Sequence, residues 1–188
     1  RLHSIFKYEQ YDAETGLFYN DNSISFMYEV QPQTGADEDM ARRLTTLFSP
    51  IPPDTGLQWC LFGTSNLDDE FEEYMAERHV AVDNGKAMPF FVDLAKSRVK
   101  HVYDHKGTPL WPDANFFIKN IRLVFSVTKE GSYKDEKLKQ EMFELRETLR
   151  SSLRSAGLPS IECDAEHLIN FLWPALNPEC MFGKQTIQ

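Results

Sequence analysis

A cysteine, an acid and a histidine lie within five residues of one another toward the C-terminal end of the chain. Cys163, Asp164 and His167 are the residue types of a nucleophile, an orienting acid and a base. Such groups normally converge from distant positions, not from one short segment. We therefore interpret Cys163 as a packing residue, Asp164 as a helix cap and His167 as a surface residue. A small hydrolase that uses these three groups is an alternative hypothesis.

Two histidines form a second candidate site. His101 and His105 are four residues apart, so a helix would place them on one face, with Asp104 nearby. The glutamate of the HExxH zinc motif is missing, and neighbouring positive charges would oppose a cation. A metal-binding enzyme is thus another alternative, and a solvated basic face that could contact an acidic partner or lipid head groups is the simpler interpretation. The positive charges belong to Lys96, Arg98, Lys100 and Lys106.

A nucleotide site would need a glycine-rich loop, spelled GxxxxGK followed by Ser or Thr. The nearest segment, Gly183-Lys184-Gln185-Thr186, has glutamine at the hydroxyl position and no strand before it. The sequence therefore predicts no catalytic, cofactor-binding or metal-binding residues in this chain.

Acidic and aromatic clusters are candidates for contacts with other proteins. Asp68-Asp69-Glu70 and Glu72-Glu73 form a continuous acidic helix start. A solvated face is the default interpretation of such a run, and one side of a protein interface is the functional one. Trp111, Phe116 and Phe117 form an aromatic loop cluster, for which core packing is the favoured interpretation and an interface anchor is the alternative.

Alternating apolar and polar residues predict the elements of the first half. Residues 24–30 have the period of a strand with one buried face, with a turn before them at residues 20–23. A helix then begins at an Asp37 cap and ends before Pro50, and residues 57–62 predict a second strand. A right-handed crossover between the two strands would make them parallel.

Two further helices follow in the first half. A capping box at Ser65 and Asp68 begins a helix that ends near Asn84-Gly85. Residues 90–103 predict the next helix, and the glycine and prolines of residues 105–115 then mark the boundary between the halves. The apolar side of the second of these helices comprises Phe91, Leu94, Ala95, Val99 and Val102.

The second half has the same order of elements. Residues 121–127 predict a strand, and residues 133–156 predict a long amphipathic helix. Residues 158–163 predict a short strand, followed by a helix that Asp164 caps and Pro174 ends. The apolar stripe of the long helix comprises Leu138, Met142, Leu145, Leu149 and Leu153, with Gly157 as its C-cap.

Both halves thus run strand, helix, strand, helix. This order predicts an α+β fold, with a mixed sheet, helices packed on it and ferredoxin-like strand-helix-strand units. The halves would comprise residues 1–105 and 116–178, and they could be related, although the sequence shows no self-similarity.

Composition narrows the functional classes. The 188 residues suit one domain or two small subdomains. Twenty-nine acidic and 20 basic residues leave a net charge of −9, which opposes binding to a phosphate backbone. The three cysteines, Cys60, Cys163 and Cys180, include no CxxC pair and indicate a reducing compartment. No apolar run approaches the roughly 20 residues of a membrane span, so we expect a soluble chain.

Two segments resemble a known family in their residues and in their order along the chain. They are residues 11–38, YDAETGLFYNDNSISFMYEVQPQTGADE, and residues 157–178, GLPSIECDAEHLINFLWPALNP. Both resemble the TraC-type ATPases that energise type IV secretion and conjugative pilus assembly. In that family an N-terminal docking domain precedes a RecA-like motor. The resemblance implies that residues 1–178 are such a docking domain and that residues 179–188 begin a linker toward a motor outside this chain.

The resemblance also implies a function without catalysis. The domain would hold the motor, with its ATP and Mg, on inner-membrane subunits of the secretion complex, at the cytoplasmic side of the bacterial inner membrane. Its partners would be those subunits, the motor of the same chain and, in the full-length protein, further copies, with no direct nucleic acid. The start at Arg1 rather than Met agrees with a fragment. Besides the enzyme hypotheses, a stand-alone interaction or dimerisation domain of another pathway is an alternative.

Overall fold

The computed structural model describes residues 8–33, 35, 37–111, 113 and 116–177. These residues form six strands and five helices. In chain order they are β1 (Tyr8–Asp12), β2 (Leu17–Asn20), β3 (Ser23–Val30), α1 (Glu38–Phe48), β4 (Thr55–Thr64), α2 (Asp68–Asp83), α3 (Phe90–His105), β5 (Asn120–Glu130), α4 (Glu136–Ser155), β6 (Ser160–Glu162) and α5 (Ala165–Leu176).

The strands form one antiparallel sheet in the order β1-β2-β3-β5-β4, with β6 also beside β3. One side of β3 pairs along its whole length with β5, from Ser23 with Glu130 to Val30 with Leu123. Its other side is shared, because β2 pairs with residues 23–25 and β6 with residues 28–30. This sharing makes β3 the central strand of the sheet.

The predicted α+β class is confirmed. The strands β6, β3, β5 and β4 lie side by side in that order, with α1 between β3 and β4 and α4 between β5 and β6 along the chain. This is the split strand-helix-strand arrangement of ferredoxin-like folds. The sheet is antiparallel, not mixed, because β5 lies between β3 and β4. These two strands run in the same direction, as predicted, but they do not pair with each other.

The main core lies between one face of the sheet, α1 and α4. The predicted inward residues of β3 and the predicted stripe of α4 are all buried in it. They are Ile24, Phe26, Tyr28 and Val30, with Leu138, Met142, Leu145, Leu149 and Leu153. The prediction of a single buried face for β3 was too narrow, since Ser25 and Met27 are also buried. The Tyr8 hydroxyl, on that second face, lies 3.9 Å from Met27 Sδ.

Three helix ends follow their sequence signals. Asp37 accepts a hydrogen bond from the Met40 amide at 2.7 Å and caps α1. Gly157 follows α4 with a φ of 72°, and the next amide, of Leu158, donates to the Leu153 carbonyl at 3.0 Å. This left-handed termination is the one for which glycine is favoured. The third cap, at α5, belongs to the candidate site described below.

Two predicted helix ends were wrong. The capping box at Ser65 and Asp68 is absent, because α2 begins after Leu67 and no side chain caps it. Asn66 instead accepts a hydrogen bond from the Asp68 amide at 3.1 Å, which forms a local turn. α5 continues past Pro174 to Leu176, although a proline removes one backbone donor, and the Asn177 amide still donates to the Trp173 carbonyl at 3.0 Å.

The chain divides into two compact units that mix distant parts of the sequence. Unit 1 comprises residues 1–62 and 122–171, and unit 2 comprises residues 63–121 and 172–188. Unit 1 holds the core described above, and α2 and α3 of unit 2 pack against each other. The predicted halves, 1–105 and 116–178, both contribute strands to one sheet. Residues 179–188 lie outside the described residues. No helix in the described part of the chain is long and apolar enough to cross a bilayer.

Candidate interaction surface

Asp164 and His167 lie where β6 leads into α5. The Asp164 carboxylate accepts a hydrogen bond from the His167 amide at 2.9 Å and lies 2.8 Å from His167 Nδ1. The backbone hydrogen bond from His167 is the largest cause that lowers the pKa of Asp164. Asp164 is therefore the predicted helix cap, and it holds the imidazole as well. Each group already has the other as a partner.

Cys163 precedes this pair and is buried. Its amide donates to the Met27 carbonyl at 3.0 Å. Burial raises the pKa of its thiol to about 12, and the nearby Glu29 carboxylate acts in the same direction. The thiolate, which is the nucleophilic form, is therefore a minor species at neutral pH. Cys60 lies half-buried in β4, and Cys180 lies outside the described residues.

His101 and His105 do share one face of α3, as their spacing predicts. Their ring centroids are 4.3 Å apart, and His105 Nδ1 lies 2.7 Å from the His101 carbonyl oxygen. Asp104 pairs with Lys100 at 2.6 Å, and this hydrogen bond is the main cause that lowers the pKa of Asp104. Among the described residues no three His, Cys, Asp or Glu side chains come together as a possible metal site. The segment Gly183-Lys184-Gln185-Thr186 lies outside those residues.

The acidic run forms the start of α2, and two of its residues accept hydrogen bonds from other residues of unit 2. Asp68 accepts a hydrogen bond from the Tyr103 hydroxyl, and Glu70 accepts one from the Asn120 amide. Desolvation, followed by the Asp68 contact, raises the pKa of Tyr103 to about 12. These bonds leave the other acidic residues of the run, Asp69, Glu72 and Glu73, exposed.

One residue on the basic side of α3 also interacts with the neighbouring helix α2. A hydrogen bond with Arg98 is the largest cause that lowers the pKa of the Tyr74 hydroxyl on α2. The Arg78 guanidinium lies over the same ring, 3.6 Å from its centroid. Tyr74 thus contacts Arg78 of its own helix through its ring and Arg98 of α3 through its hydroxyl, and links α2 to α3. Contact of this basic side with an acidic partner or lipid head groups stays a prediction.

The aromatic loop cluster lies on the surface. Trp111 is 64% exposed, Phe116 is 65% exposed, and Leu110 and Phe117 are exposed as well. The Leu110 amide donates to the Phe116 carbonyl at 2.7 Å, which brings the two ends of the loop together. The favoured sequence interpretation, core packing, is therefore wrong, because unit 2 does not enclose these rings. The alternative interpretation, an interface anchor, agrees with their exposure.

A second exposed apolar group, which the sequence analysis missed, lies at the turn between α2 and α3. Met88 is 70% exposed, and Phe90 and Phe91 are exposed beside it, with ring centroids 6.0 Å apart. The helical spacing predicts Phe91 on the apolar side of α3, but Phe91 is exposed and Val92 and Ala95 are the buried residues. The available signal was the pair of large apolar residues that directly follows Pro89 at the start of α3.

The surfaces described above belong to a chain whose sequence matches a known family. Residues 2–188 match the family described as TraC protein. The chain belongs to the TraC family. It is 24% identical over 184 residues to "Protein TraC" of Escherichia coli (strain K12), an alignment that covers 96% of this chain and 21% of that protein. The chain thus spans about a fifth of the length of this curated relative. No solved structure matches it significantly.

A buried arginine in this TraC-family chain also escaped the sequence analysis. The Arg146 side chain is 10% exposed and donates to the Thr15 carbonyl at 2.8 Å and to the Glu147 and Glu162 carboxylates. It fills the space beside Gly16, whose φ is 68° and where a Cβ would lie 2.7 Å from Arg146 Cζ. The arginine therefore joins the β1–β2 turn, α4 and β6. Periodicity could not reveal it, because charged residues on a helix are usually solvated.

An apolar cavity of about 410 Å³ is the other feature that the TraC-family sequence does not indicate. Residues from α1, β3, β4 and β5 meet around it, with two glutamines at its polar part. The lining residues are Val30, Gln31, Gln33, Met40, Leu44, Phe48, Trp59, Leu123 and Leu158. A cavity of this size and composition is within the range of sites that accept an apolar side chain or small ligand.

Proposed function

We propose that this chain is a docking module of a TraC-family conjugative transfer protein. In this proposal it attaches the motor part of its own protein to inner-membrane subunits of a type IV secretion and pilus-assembly complex. The motor part, with ATP and Mg, lies elsewhere in the full-length protein, which works at the cytoplasmic side of the inner membrane and self-associates. Membership of the TraC family supports the role in conjugative transfer.

The exposed aromatic loop is the observation that carries the docking proposal. Trp111 and Phe116 are two large rings on the surface of unit 2, at adjoining ends of one short loop. Large aromatic side chains dominate the binding energy of protein interfaces, and contiguous exposed apolar groups on a soluble surface mark such interfaces. A partner that covers the loop would remove both rings from water.

The acidic start of α2 supports a partner with a positive surface. Asp69, Glu72 and Glu73 are exposed on one helix, in a chain whose net charge is −9. Exposed charges of one sign raise the rate at which an oppositely charged partner is encountered, more than they raise affinity. We therefore expect the partner to combine an apolar contact site with basic residues, and its association to weaken as salt is added.

We also propose that the chain itself catalyses no reaction. The high pKa of the Cys163 thiol and the pairing of Asp164 with His167 support this part. The purified chain is expected to hydrolyse no ATP and to retain no zinc after dialysis against buffer without chelator. Turnover of ATP, or stoichiometric zinc that is lost when His101 and His105 are replaced by Ala, would contradict it.

Co-purification with candidate inner-membrane subunits tests the docking role. The 188-residue chain and the full-length relative without this segment are each used as bait. We expect the chain to retain a membrane subunit and the remainder of the protein to lose it. Trp111→Ala with Phe116→Ala should weaken retention at least tenfold, because truncation of a central aromatic anchor costs about 2 kcal/mol or more.

Trp173→Ala is the matched control, since Trp173 is also an exposed tryptophan of unit 2. It should leave retention unchanged. All three substitutions are at exposed positions, so the unfolding free energy should change by no more than about 0.5 kcal/mol. Retention by the motor part alone, or equal loss in the Trp173 control, would defeat the docking proposal.

A further inference from the structure

The strand β4 has an unusual position and composition. It is at the end of the strand order, so among the described residues it pairs on one side only, with β5. Its ten residues, TGLQWCLFGT, include no charge and no proline. Edge strands of natural proteins usually carry charges, prolines or bulges, because their unpaired backbone groups can pair with another strand. β4 lacks both the charges and the prolines that protect other edge strands. Its ten residues also make it long for an edge strand.

The exposed apolar residues of β4 are arranged symmetrically about Trp59. Leu57 is 41% exposed and Leu61 is 67% exposed, and both share a strand face with Trp59. The Trp59 ring is anchored, since it stacks on Phe125 with centroids 4.5 Å apart. The side chains on this face of β4 follow the order leucine, tryptophan, leucine. This order is the same from either end of the strand.

We propose that β4 pairs with β4 of a second copy of this chain, antiparallel, about a two-fold axis at Trp59. This register places Leu57 opposite Leu61 of the second copy, twice in each dimer, and Trp59 opposite its own counterpart. It also places Gln58 opposite Cys60 of the second copy. The two sheets become one continuous sheet, and the open backbone groups of both edges are paired.

A second copy fits this edge better than an unrelated strand. A two-fold contact must be complementary to itself, which requires that no charge faces its own kind. Residues 55–64 meet this condition, although the chain as a whole carries a net charge of −9 and would repel a copy elsewhere. The leucine pattern meets the second condition, since each exposed leucine meets an exposed leucine. The central residues of this contact, 57–61, belong to unit 1, so the pairing does not depend on the docking role.

A charge at Leu61 tests the surface. Sedimentation velocity of the 188-residue chain over a range of concentrations should show a monomer–dimer equilibrium. Leu61→Lys should weaken dimerisation at least about tenfold, because it removes both leucine pairs of the two-fold contact. Ile169→Lys is the matched control, an exposed apolar residue of the same unit on α5, and it should leave the equilibrium unchanged.

A second substitution tests the register. The double variant Leu57→Glu, Leu61→Lys places opposite charges across the axis in both pairs, so it should recover most of the affinity that Leu61→Lys loses. A merely local effect of the lysine would not be reversed in this way. Failure of the double variant to dimerise better than the single one would overturn the proposed register.

Disulfide formation provides an independent readout of the same geometry. Opposite residues of an antiparallel pair have Cα atoms about 4.5 to 5.5 Å apart, which suits a disulfide. In a Cys180→Ser background, Gln58→Cys should therefore form a covalent dimer with native Cys60 under mild oxidation, and Cys60→Ser should abolish it. A chain that stays monomeric up to about 0.5 mM, or a dimer that Leu61→Lys leaves unchanged, would overturn the proposal.

Discussion

The two compact units differ in how completely they bury their large apolar residues. In unit 1 the inward residues of β3 and the stripe of α4 are buried in one cluster. In unit 2 the helix α2 has no buried residue, and the exposed residues include Met88, Trp111 and Phe116. Burial of apolar surface is the main source of folding free energy. The difference indicates that unit 1 is stabilised by its own core, whereas unit 2 leaves several of its large apolar side chains exposed.

Polar interactions differ between the units as well. Unit 1 encloses the Arg146 guanidinium with carboxylates from α4 and β6. In unit 2 the corresponding interactions, from Tyr103 to Asp68 and from Asn120 to Glu70, lie at or near the surface. Removal of a buried charge partner costs more than removal of an exposed one. Substitutions in unit 1 should therefore have the larger effects on stability, and the following experiments measure that difference.

The largest effect is expected for Leu149→Ala in the core of unit 1. Leu149 is fully buried, so the truncation should lower the unfolding free energy by about 3 kcal/mol. The matched substitution in unit 2, Met88→Ala, should change it by less than about 0.5 kcal/mol. Urea unfolding measures both changes in free energy. Trp59 fluorescence monitors the unfolding, in a background with Trp111→Phe and Trp173→Phe. Equal costs at the two positions would contradict the comparison.

A somewhat smaller effect is expected for Arg146→Ala. The change removes the partner of Glu162 and the donor to the Thr15 carbonyl, and should cost about 2–3 kcal/mol. Arg150, which also pairs with Glu162 but is largely exposed, provides the control. Arg150→Ala should cost less than about 1 kcal/mol. Chemical denaturation of the two variants side by side decides whether burial makes the difference.

An intermediate effect is expected at the cap of α5. Asp164→Ala should cost about 1 kcal/mol, and Asp164→Asn only a few tenths, because asparagine also caps helices. The folded-state pKa of Asp164 is lowered, so its charged form stabilises the fold above the unfolded pKa of about 3.9. That contribution is lost as pH falls through the lower folded-state pKa. The difference in Tm between wild type and Asp164→Asn should therefore disappear in acid. A constant difference down to low pH would contradict the assignment.

The smallest effect is expected for Tyr103→Phe in unit 2. Loss of the hydrogen bond to Asp68 should cost about 0.5 kcal/mol, since the pair is only partly buried. The pKa of Tyr103 is raised to about 12, so the contribution is complete below the unfolded value near 10 and is lost as pH rises through the folded value. An ultraviolet difference titration of wild type against Tyr103→Phe measures this group. A Tyr103 that titrates like an exposed tyrosine would show that the contact is absent in solution.

Local signals explain why much of unit 1 could be predicted. The period of two in β3 and the steps of three and four in α4 depend only on neighbours along the chain, and both elements lie where the sequence predicts them. Asp37 and Gly157 act within one turn of their own helix ends, so their roles could also be read from the sequence. The prediction of a capping box at Ser65 was wrong because another local interaction competes with it. Asn66, one residue further, accepts the hydrogen bond from the Asp68 amide.

The candidate surfaces could not be predicted in the same way. An aromatic loop such as Trp111 to Phe117 has the same composition whether it is buried or exposed, so exposure must come from the surroundings. Phe91 was assigned to a buried side because periodicity locates an apolar stripe but does not say whether another element covers it. The edge position of β4 depends on which strands pair, and β3, β4 and β5 are far apart in the sequence.

The sequence by itself determined the α+β class, the helix ends at Asp37, Gly157 and Asp164, the main strands and helices, and the family likeness, because these depend on short-range spacing and on residue identity. The tertiary structure alone decided that β5 separates β3 from β4, that Arg146 is enclosed, and that Trp111 and Leu61 face water. These properties depend on contacts between residues distant in sequence. Such contacts arise from packing over the whole fold, and no local pattern encodes them.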